Sequence, residues 1–338
     1  MEIAYKRNRM LKPLSFAVTL ALIGGWSFGL AEESPTPPET AYLFTYFTGN
    51  GENGLHLACS SDGYKWEALN GGKSYLTPTV GKKEKLMRDP SVAVGADGVY
   101  HLVWTTGWNE TGIGHATTRD FVHWSLEQEI PVMASEPGTR NAWAPELVYL
   151  PKWRQYLIIW ASAVQGKFAE TERAAGGAQG YNCRIYCTTT KDFNYFSPTR
   201  LFYDPGYAVI DATILQANGR AYLIAKDETA TRPKKNLRIS TSDSIDGMYS
   251  DADPPFTPKG LAVEGPSAIM IGGEYLVYFD AYVDKHYGAM SSKDLKTWQD
   301  VTFKMTFPAE GTPERMRHGT VIAVPAKLVA DLRAPPAP

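Results

Sequence analysis

A short turn signature recurs five times along this chain, and its spacing constrains the fold more than any other feature. In each copy Ser or Thr is followed closely by Asp and, a few positions later, by an aromatic residue. The pairs are Asp62 and Trp66, Asp120 and Trp124, Asp192 and Phe196, Asp243 and Tyr249, and Asp294 and Trp298, with the Asp residues 58, 72, 51 and 51 positions apart. A period of about fifty residues that holds several short strands is typical of propeller blades, which bury their faces only against neighbouring blades. The sequence therefore predicts an all-β fold, a five-bladed β-propeller.

Every unit also contains a strand rich in aromatic and β-branched residues. These strands are Tyr42–Phe47, Tyr100–Thr105, Tyr156–Trp160, Tyr222–Ala225 and Tyr275–Phe279. An earlier strand precedes four of them: Pro90–Val94, Pro145–Tyr149, Ala212–Gln216 and Pro266–Ile271. No such strand precedes Tyr42, whereas His318–Val324 has the right pattern and no partner of its own. We expect this last strand to complete the first blade, because that pairing leaves no long sheet edge exposed.

Composition narrows the choice of partners. A net charge of -2 with 43% hydrophobic residues allows a buried core and gives no electrostatic case for binding nucleic acid or an anionic membrane. The aromatic content of 12% suits surfaces that stack against sugar rings, although core packing explains most of these residues. Three cysteines, Cys59, Cys183 and Cys187, allow at most one disulfide, and we expect buried free thiols.

The first residues differ in character from the rest. Lys6, Arg7, Arg9 and Lys12 precede the apolar run Leu14–Ile23, and Gly29–Ala31 resembles a small-residue cleavage site. Residues 1–31 are therefore predicted to be a signal peptide, with a secreted or periplasmic mature chain. An uncleaved signal anchor is the alternative, but the apolar run is short for a membrane helix. We interpret residues 32–40 as a disordered leader, 41–325 as the propeller and 326–338 as a C-terminal tail, with no integral membrane span in the mature chain.

Four acidic residues stand at the starts of the predicted inner strands, at equivalent places in different repeats: Asp89, Glu146, Asp211 and Glu264. Any one of them could simply accept backbone N–H groups in a turn. Four together indicate a small-ligand pocket, because inner strands converge around the propeller axis. Successive residues of a strand point to opposite sides, so Arg88 is not expected to hold the charge of Asp89.

The motifs around these acids resemble those of glycoside hydrolase family 43 and its close relatives, the five-bladed propeller glycosidases. They are Arg88-Asp89-Pro90-Ser91, Trp143-Ala144-Pro145-Glu146, Ile210-Asp211-Ala212 and Glu264-Gly265-Pro266, in the family's order and within roughly residues 41–325. The resemblance implies that Asp89 is the general base, Asp211 the carboxylate that tunes the acid and positions substrate, and Glu264 the general acid. The chain departs from the family at Ala212, where many members have Pro.

Further roles follow from the same resemblance. His318 would lie at the axis and hold a water or a structural ion, calcium or sodium, and no other cofactor is implied. Trp143 would form a pocket wall and Glu146 a buried structural acid. From their positions in the sequence rather than from the resemblance, Arg88 and Trp108 are further candidates for substrate contact, with surface or packing roles as the alternative. The Gly- and Ala-rich insertion at residues 165–181 is expected to form a mobile rim loop or a plain surface excursion.

These residue types suit inverting hydrolysis, in which a carboxylate deprotonates water and a carboxylic acid protonates the leaving oxygen. We expect Asp211 to raise the pKa of Glu264 by like-charge repulsion, with partial burial adding to the effect, while Asp89 stays ionised. The resemblance implies an exo-acting α-L-arabinofuranosidase acting on plant oligosaccharide or polysaccharide. A β-xylosidase or β-galactosidase would use the same carboxylates, and a non-catalytic carbohydrate-binding propeller is the competing class.

Overall fold

The computed structural model describes residues 39–333, which form nineteen strands and two short α-helices. The strands are β1 Thr40–Phe47, β2 His56–Ser60, β3 Glu67–Ala68, β4 Arg88–Val94, β5 Tyr100–Thr105, β6 Ile113–Thr118, β7 Gln128–Ile130, β8 Trp143–Leu150, β9 Gln155–Ser162, β10 Arg184–Thr190, β11 Arg200–Tyr203, β12 Val209–Ala217, β13 Arg220–Asp227, β14 Leu237–Ser242, β15 Glu264–Ile271, β16 Glu274–Ala281, β17 His286–Ser292, β18 Gln299–Asp300 and β19 Arg317–Pro325. The helices are α1 Ala169–Glu172 and α2 Ala326–Arg333. The predicted signal peptide and most of the predicted leader lie outside the described residues.

The strands form five antiparallel sheets, and the five-bladed propeller is confirmed. In strand order the sheets are β19-β1-β2-β3, β4-β5-β6-β7, β8-β9-β10-β11, β12-β13-β14 and β15-β16-β17-β18. The first blade takes its innermost strand from β19, which pairs with β1 from Thr40 opposite Pro325 to Phe47 opposite Arg317. This pairing confirms the predicted closure of the ring.

The hydrophobic core lies largely between neighbouring blades. Buried residues on adjacent blades share clusters, represented by Leu43 with Leu102, Val103 with Ile158, Leu157 with Leu223, Ile224 with Val277, and Tyr278 with Phe44. The last pair joins the fifth blade to the first, so the ring is closed by packing as well as by strand pairing. The three cysteines are buried free thiols, as predicted.

The recurring Asp signature forms a turn after the third strand of a blade. Asp62 Oδ1 accepts the backbone N–H groups of Tyr64 and Lys65 at 2.7 and 2.9 Å. Asp120, Asp192 and Asp294 each accept two backbone N–H groups in the same way. Asp243 makes an ion pair with Arg220 instead. Four of the five signatures are therefore the same side-chain-capped turn.

Helix α2 occupies most of the predicted tail and was not predicted. Its Val329 and Leu332 are buried in the cluster between the first two blades. The Ala326 N–H also donates to the Glu39 carbonyl oxygen at 2.9 Å, beside the start of β1. Of the helices within residues 39–333, none is long and apolar enough to cross a membrane.

A repeated β-bulge shapes the inner strands at the axis. The register shifts between Arg88 and Ser91, Trp143 and Glu146, Ile210 and Thr213, and Glu264 and Ser267, and again opposite β1 between Arg317 and Thr320. In the first four bulges the second residue has positive φ, at Asp89 (52°), Ala144 (46°), Asp211 (51°) and Gly265 (60°). A bulge bends its strand and re-aims side chains, and here it recurs where the inner strands meet.

Candidate active site

The bulges place the four predicted acids at three different positions rather than at equivalent ones. Asp89 and Asp211 are second residues of their bulges, Glu264 is a first residue and Glu146 is a fourth residue. The expectation of equivalent places is therefore wrong. The acids stand at different places within their four-residue motifs, so a bulge of the same form in each strand gives them three different positions at the axis.

A cavity of about 470 Å³ opens at this end of the inner strands. The first residues of all five bulges line it: Arg88, Trp143, Ile210, Glu264 and Arg317. Asp89, Asp211, Trp108, Lys226, Glu228, Tyr181 and Tyr282 also contribute to the lining. Six of the seven predicted site residues thus meet in one cavity, and His318 lies beside two of them, Asp89 and Asp211.

Asp89 is held as a carboxylate by two donors. His318 Nδ1 lies 3.2 Å from Oδ1, and the Thr105 hydroxyl donates to Oδ2 at 2.8 Å. Burial alone raises the pKa of Asp89, but the hydrogen bond and charge of His318, with the charge of Arg88, outweigh it and lower the pKa to about 2. The side chain matches the predicted ionised state.

Asp211 occupies the same bulge position but has weaker support. Its Oδ2 accepts the Gly265 N–H at 3.0 Å, and His318 Nδ1 is 3.9 Å away. Burial and the negative charge of Glu264 raise the pKa of Asp211 to about 6, although His318 and Lys226 oppose the shift. Asp211 therefore carries a proton under mildly acidic conditions.

Glu264 is paired with a cation at each oxygen. Lys226 Nζ lies 2.9 Å from Oε2, and Arg317 Nη2 donates to Oε1 at 3.0 Å. Burial raises the pKa of Glu264, but these two cations outweigh burial and lower the pKa below its ordinary value. The expectation of a raised pKa at Glu264 is wrong for the free protein, because Lys226 and Arg317, which were not predicted, outweigh burial. Asp211, rather than Glu264, is the carboxyl group whose pKa is raised.

His318 is an imidazolium at the axis. Burial lowers its pKa, but the hydrogen bond and charge of Asp89, together with Asp211, raise the pKa to about 9. Within residues 39–333 no cluster of three or more His, Cys, Asp or Glu side chains is arranged to hold a metal ion. An axial ion at His318, calcium or sodium, stays a prediction.

A glycine allows His318 to approach. A Cβ at Gly265 would lie 2.4 Å from His318 Cγ, and the φ of Gly265 is +60°. Both the close approach and the left-handed backbone favour glycine at this position. The Glu264-Gly265-Pro266 motif thus supplies one cavity acid and the space for the axial histidine.

Arg88 and Trp108 form one unit at the cavity wall. The Arg88 guanidinium lies 4.7 Å from the Phe47 ring centroid and 4.3 Å from that of Trp108. Asn50 Oδ1 accepts from Arg88 Nη1 at 3.0 Å and from Trp108 Nε1 at 2.9 Å. Arg88 and Asp89 line the same cavity, so the expectation of opposite sides is wrong. The bulge that begins at Arg88 explains the difference.

The adjoining wall combines Trp143, whose ring centroid lies 5.8 Å from that of Trp108, with the insertion. Trp143 and Tyr181 have ring centroids 4.4 Å apart, and Ala175 and Gly180 of the insertion also line the cavity. The Ala230 N–H donates to the Ala174 carbonyl oxygen at 2.9 Å, which joins the insertion to the segment after β13. The insertion is therefore part of the cavity wall rather than a plain surface excursion.

Glu146 lies outside the cavity lining, in a polar layer of the inner strands. It accepts the hydroxyl groups of Ser91 and Thr213 at 2.9 and 2.6 Å. Burial raises its pKa, and the hydroxyl donors only partly oppose the shift. These contacts link three inner strands and agree with a structural acid.

Several cavity residues escaped the sequence analysis. Lys226, Glu228 and Tyr282 lie at or just beyond the ends of strands and belong to no motif. Arg317 directly precedes the predicted His318, and its place at the start of a closing strand was the available signal. Tyr181 ends the insertion, whose contribution to a site could not be placed from sequence.

Five blades around an axis, with carboxyl groups from different blades in one cavity, define the class of five-bladed propeller glycoside hydrolases. A family model described as a probable glycosyl hydrolase domain, from a family related to glycoside hydrolase family 43, matches residues 37–329. The chain belongs to this family.

Individual relatives are distant. An alpha-L-arabinofuranosidase of Bifidobacterium longum is 19% identical over 394 aligned positions, which cover 94% of this chain and 37% of that protein. The chain thus spans little more than a third of the length of this curated relative.

Solved structures support the fold. The alpha-L-arabinofuranosidase from Lactobacillus brevis aligns with a TM-score of 0.50 and 17% identity, covering 64% of this chain and 72% of that chain. The exo-beta-1,3-galactanase from Phanerochaete chrysosporium, solved with beta-1,3-galactotriose, aligns with a TM-score of 0.54 and 13% identity, covering 79% and 61%.

Proposed function

We propose that this chain hydrolyses the terminal glycosidic bond of an oligosaccharide or polysaccharide with inversion, and that its sugar is α-L-arabinofuranose. The observation that carries the proposal is the meeting of Asp89 and Glu264, from different blades, in one cavity. Inverting hydrolysis needs a carboxylate base and a carboxylic acid on opposite sides of the sugar.

Asp89 suits the base. With a pKa of about 2, it is ionised over the working range of most enzymes, and it can accept a proton from water. His318 and Thr105 orient its two oxygens, so the carboxylate needs little reorganisation during the reaction.

Glu264 suits the acid once it carries the proton that Asp211 holds in the free protein. The two carboxyl groups interact, so below about pH 6 they retain one proton between them. The form with the proton on Glu264 and the form with the proton on Asp211 have the same total charge. The first of these forms can protonate the leaving oxygen.

The aromatic side of the cavity is suited to a sugar ring, and action at a chain end rests on the family resemblance. Trp143, Tyr181 and the insertion stand on one side, and Trp108 with Arg88 stands beside them. Aromatic side chains provide flat apolar faces for a sugar ring.

The proposed sugar rests on similarity to the named relatives, and the proposed location rests on the signal-like sequence of residues 1–31. The named relatives include arabinofuranosidases, and the galactanase keeps β-galactoside as a second candidate. Export follows from the signal-like residues 1–31. β-Xyloside remains a third candidate from the family resemblance.

The test is hydrolysis of nitrophenyl α-L-arabinofuranoside, β-D-xyloside and β-D-galactoside by the protein and by its Glu264→Gln variant. We expect turnover of the arabinofuranoside, and a smaller loss in the variant on this good leaving group than on an alkyl arabinofuranoside. Silence on all three, with retained binding of polysaccharide, would favour the carbohydrate-binding propeller.

A further inference from the structure

Lys226 is a buried cation whose role no motif assigns. Its side chain is 3% exposed, and Nζ lies 2.9 Å from Glu264 Oε2 and 2.9 Å from Glu228 Oε2. The ammonium group also lies 4.6 Å from the Tyr282 ring centroid. Burial lowers the pKa of Lys226, but Glu264 and Glu228 outweigh it, so the residue stays charged.

The two cations on Glu264 differ in their other partners. Arg317 Nε donates to Asp280 Oδ2 at 3.1 Å, and Asp280 also accepts from Arg315 at 2.8 Å, so Arg317 belongs to a second buried ion-pair network. Lys226 makes a second ion pair with Glu228, and Glu228 in turn makes an ion pair with Lys235. Lys226 can therefore be changed without breaking the Asp280 network.

We propose that Lys226 is a positioning residue of the active site, which orients the Glu264 carboxylate and limits the pH range in which Glu264 can donate a proton. This inference rests on the proposed function of Glu264 as the acid. Two hydrogen-bonded cations favour the carboxylate over the carboxylic acid, and removing one shifts that balance toward the acid.

Other charged and titratable groups also act on Glu264 from the surrounding strands and loops. From the strands they are Arg88 and Asp89 of β4, Asp211 of β12, Lys226 of β13, Asp280 of β16, Tyr287 of β17, and Arg317 and His318 of β19. From the loops they are Glu228, just after β13, and Tyr282, just after β16. The cations that contact Glu264 directly are Lys226 and Arg317.

The experiment compares Lys226→Met and Lys226→Arg with Lys235→Met, the control that removes a cation from Glu228 only. The kcat/KM of each full chain is measured against pH on an alkyl glycoside of the sugar that the parent cleaves, because a poor leaving group depends on protonation by Glu264. Lys226→Met should move the alkaline limb upward by about 1 to 3 pH units, because an adjacent opposite charge shifts a carboxyl pKa by about that much. Lys226→Arg and Lys235→Met should keep the limb close to that of the parent.

A second variant tests the contact between Lys226 and Glu264 by a shift of the alkaline limb in the opposite direction. Glu228→Gln removes the competing acceptor, so Lys226 should bind Glu264 more strongly and the alkaline limb should move downward. This change lies at a partly exposed side chain and leaves Lys226 in place. An upward shift in Lys226→Met without a downward shift in Glu228→Gln would contradict the shared-cation arrangement.

An infrared titration of carboxyl groups separates this inference from the proposed function. The band lost in Glu264→Gln identifies Glu264, and its midpoint should rise in Lys226→Met whether or not a glycoside is cleaved. An unchanged midpoint would overturn the role of Lys226. A raised midpoint without hydrolysis of any glycoside would support that role and contradict the proposed function alone.

Discussion

Asp89 and Asp211 show how surroundings separate two chemically identical residues. Both are second residues of a bulge with positive φ, and both are near His318. His318 is 3.2 Å from Asp89 but 3.9 Å from Asp211, and Thr105 donates only to Asp89. One carboxyl group is therefore ionised and the other protonated in mild acid. This difference in pKa lets Asp89 act as the base and Asp211 hold a proton, although both are aspartates.

This separation predicts a bell-shaped dependence of kcat/KM on pH. The acid limb should reflect Asp89, with a pKa of about 2, because the base must be ionised. The alkaline limb should lie near pH 6, because above it the Asp211 and Glu264 pair loses its shared proton. Steady-state rates across pH check this expectation. Activity that stays constant well above the pKa of Asp211 would contradict it.

Gly265 gives a prediction of stability at the same scale. Gly265→Ala should destabilise the fold by about 1–3 kcal/mol more than Gly272→Ala, because only the first places a methyl group against His318. Gly272 is the matched control, with a φ of +59° and open space where its Cβ would lie. Urea unfolding measures both variants. Equal losses would show that backbone strain alone sets the cost.

At the scale of elements, the bulge is the feature that sequence could not supply. The turn signature predicted the blades because four of the five Asp residues cap a local turn, and local contacts are visible in sequence. The bulge depends on pairing with a neighbouring strand, so Arg88 and Asp89 looked like alternating residues. Lys226 was missed for a similar reason, since its contact with Glu264 joins two blades. Motifs identified the acids, but their pKa values depend on partners distant in sequence.

Helix α2 yields a prediction about an element. Leu332→Ala should reduce the free energy of unfolding by about 2 kcal/mol or more, because the side chain is buried between the first two blades. Lys327→Ala is the control, since Lys327 is exposed and contacts Asp331 of the same helix. Chemical denaturation compares the two. A loss below about 0.5 kcal/mol for Leu332→Ala would show that the helix adds little to the core.

In the whole molecule the inner strands meet around one cluster of charged side chains. The titration of this cluster limits the pH range in which the fold is most stable. Folding raises the pKa of His318 from 6.5 to about 9, so the stabilisation is fully present below pH 6.5 and is lost as pH rises through 9. The free energy of unfolding should fall over this interval by on the order of 3 kcal/mol. Denaturation of the protein and of His318→Gln at several pH values checks this, and the variant should show a smaller fall. Equal falls in both proteins would assign the dependence to other groups.

The assignment of Asp89 as the general base is tested by the turnover number of Asp89→Asn on the nitrophenyl glycoside that the parent protein cleaves. We predict a loss of at least about a hundredfold, because water must be activated even when the leaving group is good. Circular dichroism would confirm that the variant is folded. Near-parental turnover by a folded Asp89→Asn protein would contradict the assignment of Asp89 as the base and, with it, this account of the site.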